Sequence, residues 1–319
     1  MPITALDPFL RIDPFLREAG IPDDLRNIIF TIAHAGKYVA HAIRNENLDY
    51  TNFTNGSGDR QLALDVLSDQ IFCNHLHSSS LVAKFASEEQ EGAVEIRCSA
   101  KNPYTVAFDP LDGSSIVDAD FAIGSIFGIF PGKDFLGKTG RDLVASGYIL
   151  YGTKIVFVVA TEQGVWEFTE NAIGEFVLSR KEIRLAKEAK FFAPGNIRAI
   201  ADRPEYGSLL SDFAHSGASL RYSGGMVPDV HLMLTKGSGI FLYLSDTKRP
   251  TGKLRLLFEC APFAFLINAA GGKAVDEKGN DLLDKVIGEI HQTDTILAGS
   301  AKTVEHAVRK LNAEKSELR

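Results

Sequence analysis

Only three of the 319 residues are cysteine, and Cys73, Cys98 and Cys260 are scattered, with no C-x-x-C between them. An odd, dispersed set excludes a disulfide framework and a cysteine zinc site, and it points to a reducing compartment. The eight histidines contain no H-E-x-x-H, so a zincin-type metal helix is absent. His75 and His77 form an H-x-H, which reads as an ordinary surface or cap pair. No apolar run is long enough to span a bilayer. The N-terminus has no signal-peptide h-region and is too acidic for a transit peptide. The expectation is a cytoplasmic protein, a plastid one after leader removal staying open. Excess positive charge is also missing. Lys and Arg total 34 against 41 Asp and Glu, a formal net charge of −7. Nonspecific binding to nucleic acid or an anionic membrane is therefore not its main business.

What remains is an ordinary globular composition, 45% hydrophobic and 24% charged, long enough for two modest domains. Apolar residues recur at helical spacing over 22–44, where Pro22 and two acids mark the helix start. Residues 46–58 are polar and turn-rich and read as a loop. Residues 59–76 read as helical again. "YTVAFDP", "AIGSIFGIF", "ASGYILYG", "KIVFVVAT" and "GVWEFTE" read as successive strands. The charged stretch 181–195 ends in Pro-Gly and marks a domain boundary. The division is 1–187, an α/β domain holding most of the acids, and 188–319, a second α/β domain. In the second part "PEYGSLLSDFAHSG" and "MVPDVHLMLTKG" read as helices and "GIFLYL" as a strand. "KLRLLFECAPFAFLINAAGG" becomes a buried helix closed by Gly-Gly, and "TVEHAVRKLNAEKSELR" is amphipathic. Blocks of helix alternating with sheet imply a layered α/β sandwich.

Acids gather at element ends: Asp59, Asp65, Glu88, Glu89, Asp109, Asp112 and Glu259. Most acids on a protein are solvated surface charges. Two of these are not placed like surface charges. Asp109 follows the apolar "VAF", and Glu259 sits inside "LRLLFECAPFAFL". A carboxylate there is costly unless paired or bound to a cation. Oxygen donors without His or Cys select Mg²⁺ or Mn²⁺, and the calcium-loop spacing D-x-[DN]-x-[DN]-G is absent. In D-P-L-D the proline stiffens a turn that lets both carboxylates point the same way, with the Leu111 carbonyl a further donor. Gly113, Ser114 and Ser115 follow, a small-residue loop suited to a phosphate. Acids beside a phosphate loop repel the ligand unless cations stand between them, so the pairing implies a metal-assisted phosphoryl site.

These stretches resemble the fructose-1,6-bisphosphatase and sedoheptulose-1,7-bisphosphatase family, within the lithium-sensitive phosphatase superfamily. The resemblance runs through "GDRQLALDVLSD", "FASEEQ", "FDPLDGSS", "FAPGNIRA", "RYSGGMVPDV", "KLRLLFE" and "AAGG". It implies an α/β/α/β/α sandwich and a Mg²⁺-dependent (or Mn²⁺-dependent) sugar bisphosphatase. Glu88, Asp109, Asp112 and Glu259 would hold metal with the Leu111 carbonyl. Asp65 and Glu89 would orient and deprotonate the attacking water, and Asp59 would relay a proton or steady a loop, its plain alternative being a helix N-cap. Substrate would be held by Asp112, Gly113, Ser114, Ser115, Asn196, Arg198, Arg221, Tyr222, Met226, Tyr243, Lys253 and Arg255. Arg221 would reach a neighbouring subunit's site, which implies a homodimer or homotetramer; a surface salt bridge is its plain alternative. Tyr222, Tyr243 and Met226 would look the same as core residues.

"DGSSIVD", "APGNIRA" and the Gly-Gly and Pro of "RYSGGMVPDV" resemble the sedoheptulose branch. The expected reaction is hydrolysis of sedoheptulose 1,7-bisphosphate to the 7-phosphate, with fructose 1,6-bisphosphate, or both sugars, as the alternative. Ala199 stands where the family's phosphate-binding Tyr is expected, leaving Arg198 to compensate. The early loop carries no cysteine pair and the AMP-binding stretch is replaced by "GIPDDLRN", so neither thiol control through that loop nor AMP inhibition is expected.

Overall fold

The computed structural model describes residues 10–45, 50–54 and 60–313. Its first layer is helical: α1 (Ile12–Glu18), α2 (Asp23–Asn45) and α3 (Ala63–His77). Between α2 and α3, β1 (Tyr50–Thr54) pairs antiparallel with β2 (Arg60–Leu62). β1 falls inside the stretch 46–58 expected to be loop, while β2 takes the start of the stretch 59–76 expected to be helix, so α3 begins at Ala63 rather than at residue 59. The buried stripe of α2, Leu25, Ile28, Ile29, Ile32, Ala35, Val39 and Ala42, follows the 3.6-residue period read from the sequence.

That stripe packs on an eight-stranded sheet of β3 (Val82–Ser87), β4 (Val94–Glu95), β5 (Tyr104–Asp112), β6 (Ile123–Pro131), β7 (Ala145–Tyr151), β8 (Ile155–Thr161), β9 (Gly164–Glu170) and β10 (Phe176–Arg180). The order is β10-β9-β8-β7-β6-β5-β3-β4. Neighbours run antiparallel except β3 and β5, which are parallel. The C-terminal ends of β3 and β5 therefore deliver Glu88 and Asp109–Asp112 to the same edge of the layer. Gly36 lets α2 approach the sheet closely, since a Cβ there would stand 2.2 Å from Ile149 Cδ1.

The next layer is α5 (Met226–Lys236) and α6 (Ala261–Ala269), the latter entered through a π-helical turn, Leu256–Cys260. A five-stranded sheet follows: β11 (Phe191–Gly195), β12 (Ser219–Leu220), β13 (Ile240–Tyr243), β15 (Lys273–Val275) and β17 (Ile296–Gly299), in the order β12-β11-β13-β17-β15. The short strands β14 (Leu254–Arg255) and β16 (Thr293–Asp294) pair with each other beside the π-helical turn. The last layer is α4 (Pro204–His215) and α7 (Ala301–Asn312). Three apolar clusters separate these five layers, which form the expected α/β/α/β/α sandwich. Among the described residues no helix is long and apolar enough to cross a membrane.

Candidate active site

Strand alternation sets the first carboxylate. Val106 and Phe108 face the α1–α3 layer, while Ala107 faces the α5–α6 layer. Asp109 falls on the Ala107 side and is 4% exposed. Its Oδ1 accepts from the Leu111 amide at 2.9 Å. The register against β6 slips between Asp109 and Asp112, so the D-P-L-D segment carries an irregularity that re-aims the second acid. Ser125 on β6 pins the turn, donating to the Pro110 carbonyl at 2.7 Å and pairing with Tyr151. Gly113 at φ 89° turns the chain into a single 3₁₀ segment, Ser114–Ala119.

Glu259 comes from the opposite layer. The π-helical turn buries it to 6% exposure, and its Oε2 accepts from the Arg255 amide at 2.6 Å. Carboxylate oxygens of Asp109, Asp112 and Glu259 all lie within 4.8 Å of one another. Glu88 leaves the end of β3 with its amide on the Phe108 carbonyl, and its carboxylate stands 4.0 Å from Arg255 Nε. Asp65, in the first turn of α3, accepts from the Leu62 amide through Oδ2, while its buried Oδ1 has no partner among the described residues.

Burial is the main force on these acids. It raises Asp109 and Glu259 well above the ordinary carboxylate range, with the neighbouring carboxylates adding to it, and it raises Glu88 and Asp112 as well. Asp65 is pushed up to about 7 by burial and by Glu89, against the pull of the Leu62 amide.

All these groups line one cavity of about 510 Å³. Its described lining holds six carboxyl groups (Asp65, Glu88, Glu89, Asp109, Asp112, Glu259) and three cations (Arg198, Lys253, Arg255), so acids outnumber bases by three. With those acids ionised, such a cavity repels a phosphate. A hard divalent cation fits it: the donors are oxygens, no histidine or cysteine is in the lining, and a buried Asp65 oxygen is unpaired.

The structure also brings Leu111, Gly113, Ser114, Ser115, Tyr222, Met226 and Tyr243 to the cavity. Lys253 and Arg255, read as one face of a strand, flank Leu254 on β14 and both line it. Asn196 is not brought in, and Arg221, expected to serve a neighbouring subunit's site, does not line this chain's own cavity. Asn196 donates through Nδ2 to the Leu244 carbonyl (2.9 Å) and to Asp246 (3.0 Å), so its amide ties the ends of β11 and β13 together instead. Arg221 is exposed, with Nη1 on the Leu220 carbonyl and its guanidinium over the Phe191 ring. Asp59 lies outside the described residues. Ala199 is fully buried, and Arg198 beside it faces the cavity.

Sequence reasoning read the helix that starts at Met226 but missed what caps it. Met226 N and Val227 N donate to Asp112 at 3.2 and 2.6 Å. Gly225 offers no side-chain cap and Pro228 has no N–H, so a carboxylate from the other sheet caps this helix. The signal was present in "GGMVPDV": a helix start with glycine where a capping side chain belongs.

The raised acids make a pH prediction. A carboxyl raised in the folded state stabilises the fold below its ordinary value of 3.8, and that contribution is lost as pH climbs through about 7 for Asp65. The other four acids shift in the same direction. A bound dication favours the ionised forms and removes the loss. The rise in melting temperature from EDTA to excess Mg²⁺ should therefore grow between pH 5 and pH 8. Taking the difference cancels surface acids such as Asp134 and Asp284, which are lowered by basic partners. A cation effect that stays constant across that range counts against this electrostatic account.

Buried acids suited to a cation and three basic side chains share one cavity, an arrangement for a metal ion together with an anionic ligand. Comparison with known proteins places it further. Residues 12–181 match the model of the fructose-1-6-bisphosphatase N-terminal domain, and residues 185–312 that of its C-terminal domain. A fructose-1,6-bisphosphatase class 1 of Pelobacter propionicus is 42% identical over 93% of this chain and 91% of its own. A chloroplastic sedoheptulose-1,7-bisphosphatase of Triticum aestivum is 37% identical over 92% of this chain and 74% of its own. The crystal structure of Leishmania major fructose-1,6-bisphosphatase in holo form superposes with a TM-score of 0.87 at 31% identity, covering 94% of this chain and 98% of that one. The chain belongs to the fructose-1,6-bisphosphatase family.

Proposed function

We propose that this protein hydrolyses the 1-phosphate of fructose 1,6-bisphosphate, and that sedoheptulose 1,7-bisphosphate is its second substrate. The observation that carries the reading is that one cavity is lined both by the carboxylate cluster of Asp109, Asp112 and Glu259 and by three cations, Arg198, Lys253 and Arg255. A bisphosphorylated sugar matches that mixed lining, with the reacting phosphate at a cation held by the acids and the distal one at the basic side chains. The order of the two sugars reverses the expectation drawn from "DGSSIVD" and "RYSGGMVPDV". The more identical relatives carry the fructose name, while the wheat relative keeps the seven-carbon sugar in play.

Glu88, Asp109, Asp112 and Glu259, with the Leu111 carbonyl, would hold Mg²⁺ or Mn²⁺. When bound, the ion neutralises charge on the phosphoryl oxygens and makes a nearby water more acidic. The chain's own groups do the rest. The amides and hydroxyls of Gly113, Ser114 and Ser115 cradle the transferring phosphoryl group, whose loose transition state spreads charge over its equatorial oxygens. Asp65, held ready to accept a proton by a value near 7, takes one from the attacking water with Glu89 beside it. The oxygen of that water adds to phosphorus, the bond from phosphorus to the C1 oxygen breaks, and the C1 oxygen takes up a proton from solvent while the proton on Asp65 is later returned to solvent. Tyr222 and Tyr243 flank the sugar, and Arg198, Lys253 and Arg255 hold the distal phosphate.

Phosphate release from a panel of bisphosphorylated sugars, with and without Mg²⁺, tests this. One phosphate per sugar should appear, only with the cation. The kcat/KM for the fructose substrate should exceed that for sedoheptulose by less than about 100-fold, since one added hydroxymethylene in an open polar pocket discriminates weakly. A higher value for sedoheptulose reverses the assignment.

A further inference from the structure

The acids of the site sit on separate elements, and one hydrogen bond outside the cavity ties two of those elements together. His291, 201 residues along the chain from Gln90, donates from Nε2 to the Gln90 carbonyl at 2.8 Å. A carbonyl only accepts, so Nε2 carries the ring proton. His291 Nδ1 is buried without a partner among the described residues, so the bond to Gln90 is what holds the ring on its polar side.

Both ends of this bond are anchored next to site carboxylates. Gln90 directly follows Glu88 and Glu89. Its side-chain Nε2 donates to Asp69 at 2.8 Å and to Cys73 Sγ at 3.1 Å, both on α3, where Asp65 sits one turn earlier. On the other side, the His291 ring lies 5.7 Å from the Phe258 ring, one residue before Glu259. The next carbonyl, Gln292 O, accepts the Leu256 amide at 2.7 Å at the head of the same π-helical turn. The path from Asp65 through Gln90 and His291 to Glu259 is continuous.

We propose that His291 is a positioning residue for the cation site: its bond to the Gln90 carbonyl holds the Glu88–Glu89 loop at a fixed separation from Glu259. A dication needs donors from both sides at once, and the loop has no apolar anchor of its own at Glu88 or Glu89. Without the bond the loop relaxes away from the π-helical turn, and its acids separate from Glu259 under their mutual repulsion. Outer-sphere partners of this kind typically account for about 10–100-fold in metal affinity. The proposal rests on the reading of the acid cluster as a cation site.

Three variants separate the bond from packing. His291→Gln keeps an amide N–H near the Nε2 position. His291→Asn moves it to the Nδ1 position, out of reach. His291→Phe keeps the ring against Phe258 and removes the donor. Mn²⁺ titration of the metal-free full-length protein by calorimetry is the primary readout, with melting temperature and steady-state kinetics beside it. His291→Asn and His291→Phe should weaken Mn²⁺ binding about 10-fold or more. The Mg²⁺ needed for half-activation should rise in parallel and kcat should fall. The KM for the bisphosphate, set by the basic side chains, should stay within about twofold. His291→Gln should restore most of the affinity. His291→Phe binding Mn²⁺ as the wild type does overturns the proposal. So does an equal loss in His291→Gln and His291→Asn, because that is the mark of packing alone. A wild-type protein with no saturable Mn²⁺ binding sinks the cation-site reading first, and the proposal with it.

Discussion

Glu259→Gln should make the metal-free protein more stable while nearly abolishing its activity. Glu259 is buried, and burial together with Glu88 and Asp112 raises it well above the ordinary carboxylate value. The penalty of holding that charge appears as pH rises above the ordinary value, so it is present at pH 8 and small at pH 5. Glutamine has the same shape and keeps a carbonyl oxygen to accept the Arg255 amide, so the π-helical turn retains its tie. One acid leaves a lining in which acids outnumber bases by three. The gain at pH 8 should be about 1–2 kcal/mol, a rise of roughly 2–5 °C in EDTA. In Mg²⁺ the order should invert, because the variant has lost a ligand and the ion stabilises it less. The kcat should fall about 10³-fold or more, the scale of several kcal/mol of lost charge stabilisation. Paired melting curves with and without cation check the inversion. A variant less stable than wild type in EDTA shows that Glu259 is held by favourable contacts rather than against its own desolvation.

The same balance explains which parts of the molecule the sequence disclosed. Strands β5 to β9 announce themselves as short apolar runs between glycine-containing turns, and helices α2, α4, α5 and α7 through helical spacing, because each buries one face or both against a neighbouring layer. D-P-L-D was legible for another reason: two acids against an apolar strand have no cheap explanation without a cation. The β1–β2 hairpin was not legible. "YTNFT" is polar and turn-prone, and its strand character comes from pairing with Arg60–Leu62 rather than from its own pattern. The orientation of Asn196 was not legible, because "PGN" carries no sign of where its side chain points. The left-handed backbone at φ 46° turns it toward Leu244 and Asp246, about 50 residues further along the chain. The strut through His291 is hidden for the same reason on a larger scale. Its two ends become neighbours only after both sheets and α6 have stacked, and nothing local to "EIHQTD" encodes that.

Asp112→Ala and Asp112→Asn should part company in stability although both lose activity. Asp112 is a proposed ligand and also the cap of α5, accepting from Met226 N and Val227 N. These are the first two amides of the helix, and neither has an intrahelical acceptor. Alanine removes the cap and leaves both donors facing a cavity. Asparagine keeps one oxygen to accept and drops a charge that burial raises above its ordinary range. Alanine should therefore lower the stability of the metal-free protein by about 1–2 kcal/mol, the usual worth of an N-cap plus a charge at a helix N-terminus. Asparagine should stay within about 0.5 kcal/mol of wild type, the weaker bond being offset by the relieved desolvation. Hydrogen exchange localises the difference: amides of the first turn of α5 should exchange faster in Asp112→Ala and near the wild-type rate in Asp112→Asn. In Mg²⁺ both should lose about 10³-fold or more in kcat. Normal turnover in either removes Asp112 from the site. Equal melting and equal exchange in the two variants leaves it a ligand but not a cap. The separation matters for the fold as well as the chemistry, because a carboxylate that caps a helix of one layer from a strand of another fixes how the second sheet is presented to the acids of the first.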